Sequence, residues 1–488
     1  MPTRPASTPP RRWLARAVLT GLAALGGCAT SPPIPPVAAP TPSAAPTPSA
    51  APASPAAPSS ASPSSASPSS ASPPEAAAAA PQPPTSEAAP TEAVAPEAPV
   101  AAASAPSQPG AEVTLEQRFA DWVAAFRAGA QAQGIDESTL NAAFDGVRYL
   151  PRVAELDRAQ PEFMRTVWDY LDGAVSSQRV ARGRDKLRQV RGEAYAAAAH
   201  YGVPPAILVA IWGIETNYGA YIGNTPTIDA LATLGFDGRR EAWARAELMS
   251  ALKILQSGDI GRVRMIGSWA GAMGQTQFTP SSFLAYAVDA DGDGRRDIWG
   301  SVDDVMASTA NHLVSSGWRA GEAWGVEVQL PPGFDVGRAD PQTRQSGAQW
   351  GAEGVRAIDG SALPEFADGA ILLPAGARGP AFLVGPNFRA LLGYNNSTSY
   401  ALAVGLLALR IEGGPGVQSP WPRDLAALSR SQVEALQTAL NARGFDSGIP
   451  DGVVGPATRD ALRRYQRSVG VPADGYPTLE LLQGLQAP

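Results

Sequence analysis

The chain has 488 residues, and its 38 Lys and Arg against 45 Asp and Glu give a net charge of −7, which leaves no overall basic field for non-specific nucleic-acid binding. One cysteine excludes an internal disulfide and a thiolate cluster, and two histidines disfavour a histidine-rich zinc site. Catalysis by such a chain rests mainly on carboxyl, hydroxyl and amide groups.

Arg4, Arg11, Arg12 and Arg16 precede or enter an apolar run from Val18 to Leu25, which ends in Gly26-Gly27-Cys28. The run is too short to span a bilayer and has the layout of an export signal. Leu25-Gly26-Gly27-Cys28 resembles the lipobox of bacterial lipoproteins. That resemblance implies cleavage before Cys28 and its lipidation, with residues 1–28 as the signal peptide. Ala29 in the next position implies the periplasmic face of the outer membrane. Residues 29–112 follow as a linker, and 23 of the 48 prolines fall between Ser31 and Gly110. Pro, Ala and Ser in this density cannot bury enough apolar surface to offset chain entropy, so the segment is expected to be a disordered tether. In polyproline II its contour would reach on the order of 200 Å.

Residues 113–414 have a globular composition dominated by helical periodicity. Helices are expected over Leu115–Ala130, Pro161–Leu171, Arg184–Tyr201, Arg239–Gln256 and Val302–Ser316. Two short runs, Glu327–Leu330 and Ala370–Leu373, are flanked by Pro or Gly and predict a small sheet inserted in a mainly α domain. The informative helix follows Val203-Pro204-Pro205. On it Ile207, Ile211 and Ile214 share one stripe, while Leu208, Trp212 and Glu215 share the next. Glu215 thus projects from an apolar helix close to its C-terminal end. Desolvation and the negative end of the helix dipole both disfavour a carboxylate there, which raises its pKa as a general acid near neutral pH requires. Asp229 and Asp237, the downstream acids that could face it, sit beside turn residues and are expected to cap helices.

Gly213-Ile214-Glu215-Thr216-Asn217-Tyr218-Gly219, then Ser268 to Phe283 with its Gly271-Ala272-Met273-Gly274-Gln275-Thr276-Gln277-Phe278 centre, then Tyr394-Asn395-Asn396-Ser397 and Tyr400 resemble the membrane-bound lytic transglycosylase B family. The resemblance spans nearly all of the middle domain and implies a lysozyme-like fold. It implies Glu215 as the acid/base that cleaves peptidoglycan between N-acetylmuramic acid and N-acetylglucosamine. It places Ser268, Gln277, Phe278, Tyr394, Asn395 and Tyr400 around the sugars, with Gly271 and Gly274 letting backbone approach them. A glycoside hydrolase normally uses two carboxyl groups, whereas the family closes a 1,6-anhydro ring with one. A muramidase-type hydrolase and a non-catalytic wall-binding lipoprotein are the alternative readings. His312 stands where the family often carries a cleft tyrosine, and as a lone helical histidine it is expected to be half-buried packing.

Asp289-Ala290-Asp291-Gly292-Asp293-Gly294-Arg295-Arg296-Asp297 matches the first half of an EF-hand loop, with glycine at the sixth position. The twelfth position is Gly300 rather than glutamate, and Asp303 is the expected substitute. The candidate calcium ligand set is Asp289, Asp291, Asp293, Arg295, Asp297 and Asp303, with a structural role. The other reading is a metal-free acidic loop closed by Arg295 and Arg296. No organic cofactor is expected.

After a Gly413-Gly414-Pro415-Gly416 breaker, residues 424–487 predict three short helices. Ser431-Gln432-Val433-Glu434 reads as a capping box opening a helix with Val433, Leu436 and Leu440 on its inner face. Gly455-Pro456-Ala457-Thr458 opens the next, with Leu462 and Tyr465 inward. Asp451-Gly452 and Gly455-Pro456-x-Thr458 resemble the peptidoglycan-binding domain of wall hydrolases, which implies glycan strands as the partner and no catalysis in this unit.

Overall fold

The computed structural model describes residues 113–159 and 165–487. The expected signal peptide, the expected lipidation site Cys28 and the expected tether lie outside the described residues. Thr114 caps α1 (Leu115–Ala132) and Asp136 caps α2 (Glu137–Phe144), each side chain accepting from a backbone N–H three residues on. There follow α3 (Pro151–Ala159), α4 (Val167–Ala174), α5 (Ser177–Gln189), α6 (Arg191–Tyr201), α7 (Pro205–Thr216), α8 (Thr227–Asp237), α9 (Glu241–Ser257), α10 (Pro280–Tyr286) and α11 (Val302–Ser315).

Two expected helices are corrected. Of the helix expected over Pro161–Leu171, residues 161–164 lie outside the described residues, and among the described ones α4 starts at Val167, where the Thr166 hydroxyl accepts from Asp169 N. Arg184–Tyr201 is broken at Val190, which takes φ −102° and ψ 33° between α5 and α6.

β1 (Thr225–Pro226) and β2 (Ile266–Gly267) form a short antiparallel pair beside α8. Between α11 and α13 (Pro386–Tyr394) lies the inserted sheet, made of β3 (Gly325–Gln329), β4 (Arg344–Gln345), β5 (Arg356–Ala357), β6 (Gly369–Leu372) and β7 (Ala381–Val384). Its order is β4-β6-β7-β3-β5 with every pair antiparallel. The two strands expected from sequence are β3 and β6. One turn, α12 (Gly347–Ala352), sets Trp350 into the insert's own core, with its indole N–H donating to Gly369 O at 3.0 Å.

α7 is buried from Ala206 to Gly213, as a helix apolar on all sides must be. It packs on α5, α6, α11 and α14 (Thr398–Ile411). One apolar cluster surrounds it, and a second is built from α1, α2, α8, α9 and α10. Tyr394 packs against both clusters, so the end of α13 marks the seam between them.

Residues 417–424 are stapled to the body. Gln418 N and Ser419 N donate to the Glu327 carboxylate at 2.8 and 2.7 Å, and Arg423 pairs with both oxygens of Asp172. The C-terminal unit is α15 (Arg430–Ala442), α16 (Pro456–Ser468) and α17 (Leu479–Gln486) around Val433, Leu436, Leu440, Leu462 and Tyr465. Its capping box is Ser429 with Gln432, two residues earlier than expected. The unit docks on the insert through buried Arg463, which donates to Asp340 at 2.7 Å and Ala339 O at 3.2 Å, and through Ala377 N, which donates to Asp474 at 2.8 Å.

Candidate active site

Glu215 is the penultimate residue of α7, and the helix stops in an unusual way. Asn217, Tyr218 and Gly219 all take left-handed backbone, with φ of 51°, 63° and 75°. Such conformations are costly for the two residues that carry a Cβ and persist only where neighbours hold them. Here Tyr218 N donates to Trp212 O at 3.1 Å, its hydroxyl donates to Arg179 O at 2.8 Å, and Gly219 N donates to Thr216 Oγ1 at 3.0 Å. The turn therefore fixes where the Glu215 side chain leaves the helix.

The Tyr400 hydroxyl donates to Glu215 Oε1 at 2.6 Å. Burial pushes Glu215 up to about 7, and the Tyr400 hydrogen bond pulls it the other way. Glu215 as a whole is half-buried, so its carboxyl group is desolvated yet keeps an opening to solvent. No carboxylate among the described residues is a cause of its shift. Asp229 and Asp237, expected as caps, do not cap. Asp229 lies inside α8 and accepts from Arg148 N and Arg262, and Asp237 ends α8 and accepts from Arg158 at 2.6 Å. Both are occupied by arginine, which leaves Glu215 without an acidic opponent in this network.

The aromatic residues form one column. Tyr286 stacks on His312 with ring centroids 4.1 Å apart, His312 on Tyr394 at 4.6 Å, and Tyr394 on Tyr400 at 6.3 Å. Tyr394 also donates to Thr276 O at 2.7 Å. Burial pushes both the Tyr394 and Tyr400 hydroxyls well above their ordinary value, with the Glu215 charge adding to it. They remain proton donors in hydrogen bonds and do not titrate near neutrality. His312 is 6% exposed, deeper than the half-buried packing expected of it, and burial pushes its imidazole down to about 4.

The structure divides the residues expected around the sugars. Tyr394 and Tyr400 meet at Glu215, while exposed Asn395 starts the next loop from the end of α13. Phe278 is 2% exposed and turns its ring to Tyr286, His312 and Tyr394, so it supports the column and offers no face to a sugar. Tyr400 is likewise buried, and its contribution is its hydroxyl rather than a stacking face. Ser268 Oγ accepts from Ala272 N at 3.1 Å and braces its own loop. Gln277, itself left-handed at φ 52°, donates to Gly274 O at 2.9 Å and Ile222 O at 3.2 Å. Gly271 and Gly274 also differ from expectation. Their missing Cβ atoms would meet Leu231 and Ile298, so these glycines serve left-handed turns and core packing. Sequence reasoning missed Tyr170 on α4, whose hydroxyl is pushed up to about 12 by burial and then by the Glu215 charge. A tyrosine in a segment of unclear helical start gives no periodic signal of its own.

In the acidic loop the carboxylates of Asp289, Asp291 and Asp293 offer oxygens within 4.8 Å of one another. Gly292 and Gly294, at φ 76° and 88°, supply the sharp turn. Asp297 and Asp303 are not part of this group. Asp297 instead accepts from Trp299 N, Gly300 N and Arg264, which closes the end of the loop. Buried Asp304, not Asp303, holds the loop from below, accepting from Ala290 N at 2.7 Å and Asp297 N at 2.6 Å. Arg295 keeps only a backbone bond to Asp293, and Arg296 pairs with Asp259, so neither guanidinium neutralises the three carboxylates.

The chain as a whole is similar to known proteins. Residues 118–409 fit the family model described as Transglycosylase SLT domain, and residues 429–485 fit a peptidoglycan binding domain model. SltB3 of Pseudomonas aeruginosa, solved in complex with NAG-anhNAM-pentapeptide, is 52% identical with a TM-score of 0.74, over 76% of this chain and 99% of that one. Slt35 of Escherichia coli, solved in complex with calcium, is 30% identical with a TM-score of 0.52, over 62% of this chain and 95% of that one. Membrane-bound lytic murein transglycosylase B of Escherichia coli strain K12 is 38% identical over 211 residues, which is 42% of this chain and 56% of that protein. The match thus spans little more than half of that relative's length. Fold and site define the class of lytic transglycosylases. The chain belongs to the SLT transglycosylase family.

Proposed function

We propose that the protein cleaves the β-1,4 bond between N-acetylmuramic acid and N-acetylglucosamine in peptidoglycan without water, with Glu215 as both acid and base. The observation that carries this is one desolvated carboxyl group, raised by burial to about 7 and held by a tyrosine hydroxyl, with no second carboxylate among the described residues acting on it. Glu215 donates its proton to the bridging oxygen as the bond from muramyl C1 breaks. The resulting carboxylate takes the proton of the 6-hydroxyl, whose oxygen bonds to C1. The donated proton leaves as the 4-hydroxyl of the released N-acetylglucosamine, the 6-hydroxyl proton restores neutral Glu215, and the product carries a 1,6-anhydro ring. A hydrolase would instead need a second carboxyl group some 5–9.5 Å away. Tyr400 steadies the ionised form between the two proton transfers. Mass spectrometry of fragments released from purified sacculi tests the reading: anhydro ends are expected, and fragments heavier by one water would replace it with the hydrolase.

Protonated Glu215 is the starting state, so kcat/KM is expected to hold below neutrality and fall through one limb centred about pH 7. The Tyr400 hydrogen bond lowers this value, so Tyr400→Phe should move the limb upward by roughly 0.5–1 pH unit. A pH series on both proteins measures it, and an unmoved limb separates Tyr400 from the acid.

Ser268, Gln277, Tyr394, Asn395 and Tyr400 are assigned to the walls of the sugar subsites, and residues 424–487 to holding the wall. Residues 1–28 would supply a lipid anchor at Cys28 on the periplasmic face of the outer membrane, with residues 29–112 as its tether. The acidic loop fits a calcium ion. Asp289, Asp291 and Asp293 converge without a neutralising arginine, and Slt35 was solved with that metal. Bound there, calcium would supply charge to order the loop and would take no part in proton transfer. It should raise the midpoint of thermal unfolding of the full chain, the stabilisation growing with free calcium to about 2.7 kcal/mol at one hundred times its Kd. Asp291→Asn should abolish most of that gain in a thermal-shift titration.

A further inference from the structure

Beyond the groups that meet the sugar, we infer that Gln275 is a positioning residue for Glu215, clamping the last turn of the catalytic helix to the segment that follows the acidic loop. The inference rests on the reading of Glu215 as the acid.

Gln275 is 8% exposed and every polar atom it owns is used. Its carboxamide oxygen accepts from the Trp212 indole N–H at 2.8 Å, one turn before Glu215. Its carboxamide nitrogen donates to Trp299 O at 3.0 Å, and its backbone N donates to Ile298 O at 2.8 Å. Its backbone oxygen lies 3.3 Å from Thr216 Oγ1, the residue after Glu215. The carboxamide also lies against the face of Gly219, where a Cβ would collide with its oxygen. One side chain thus ties the flank of α7, the left-handed turn that ends it, and the Ile298–Trp299 backbone. The bond set needs an acceptor and a donor on one planar group at this length. Asparagine is too short, and methionine keeps the volume but loses both carboxamide bonds.

The turn is held in costly backbone conformations, so it relaxes once its support is withdrawn. A shift of about 1 Å in a reacting group costs about 100-fold. Gln275→Met should therefore lower kcat roughly 10- to 100-fold while KM for glycan stays within about threefold, because the residue touches no substrate. Water reaching a loosened carboxyl group should move the descending limb of the pH profile below that of the wild type. Gln275→Glu at pH 5 is the rescue. A neutral carboxyl group donates to Trp299 O and accepts from Trp212, so kcat should return to within a few-fold of the wild type, whereas Gln275→Met stays low at that pH.

Trp212→Phe removes the indole N–H together with one ring of the buried side chain and serves if Gln275→Met fails to fold; it should show a comparable fall in kcat and the same movement of the limb. A folded Gln275→Met or Trp212→Phe protein with wild-type kcat and limb overturns the role, as does a Gln275→Glu protein at pH 5 no better than Gln275→Met. The reading of Glu215 is judged separately, on whether the wild type forms anhydro ends.

Discussion

Glu215→Gln should lose about three orders of magnitude or more in release of anhydro fragments, since one group serves as acid and then as base and each role alone is worth about 100- to 10,000-fold. Gln keeps the shape and still accepts from Tyr400, so sacculus binding should survive. The same substitution should make the protein more stable, and the pH window follows from the sign of the shift. Burial lifts Glu215 from 4.5 to about 7, so between those values the folded protein holds a proton that the unfolded chain has released. Wild-type stability therefore falls as pH rises through this window and is flat on either side. Glutamine carries no such penalty. The variant should match the wild type near pH 4 and exceed it by roughly 2–3 kcal/mol at pH 8. Thermal unfolding of both proteins at the two pH values measures this, and equal stability at pH 8 would show that the carboxyl group is hydrated rather than buried.

Gly267→Ala should be among the most damaging single-methyl changes in the molecule. Gly267 ends β2 just before Ser268, and a Cβ there would run into Ala272 O, with Met273 Cα at 3.1 Å. Both obstacles are backbone, so no side chain can swing aside. The loop from Ser268 to Gln277 must move as a whole, carrying Thr276, whose carbonyl holds Tyr394. We expect a loss of about 2–3 kcal/mol or more in denaturant midpoint together with a fall in kcat. Gly129→Ala supplies the contrast. It sits inside α1 with open space around the added methyl, and should stabilise by roughly 0.5–1 kcal/mol.

The sequence reveals those features of the site that are local. α7 is legible because two prolines open an unbroken apolar run, and Glu215 stands out as the one acid on it. The strands β3 and β6 are legible from short apolar runs between Gly and Pro. Val190 breaks a helix in a stretch rich in good helix formers, with no proline at the break and no signal before packing decides it. Ser429 and Ser431 each have Gln or Glu three residues on, so the motif alone does not choose between them. The column Tyr286, His312, Tyr394 and Tyr400 draws on four separate elements, and no window of sequence contains it. Phe278 reads as a stacking ring until its burial is seen, because an aromatic residue in a motif looks the same whether it faces sugar or core. Gln275 lies two residues from Gln277, and only tertiary hydrogen bonds tell their roles apart.

The C-terminal unit is joined to the body by a stapled strap and by Arg463 buried against Asp340. A freely swinging module would raise local substrate concentration with no preference for where along a strand the acid falls. A bolted one would act as a gauge. A glycan chain lodged on it would meet Glu215 at an offset set by protein geometry, in whole disaccharide steps, and lengthening residues 413–424 would blur that spacing only after the Arg463 contact had been cut.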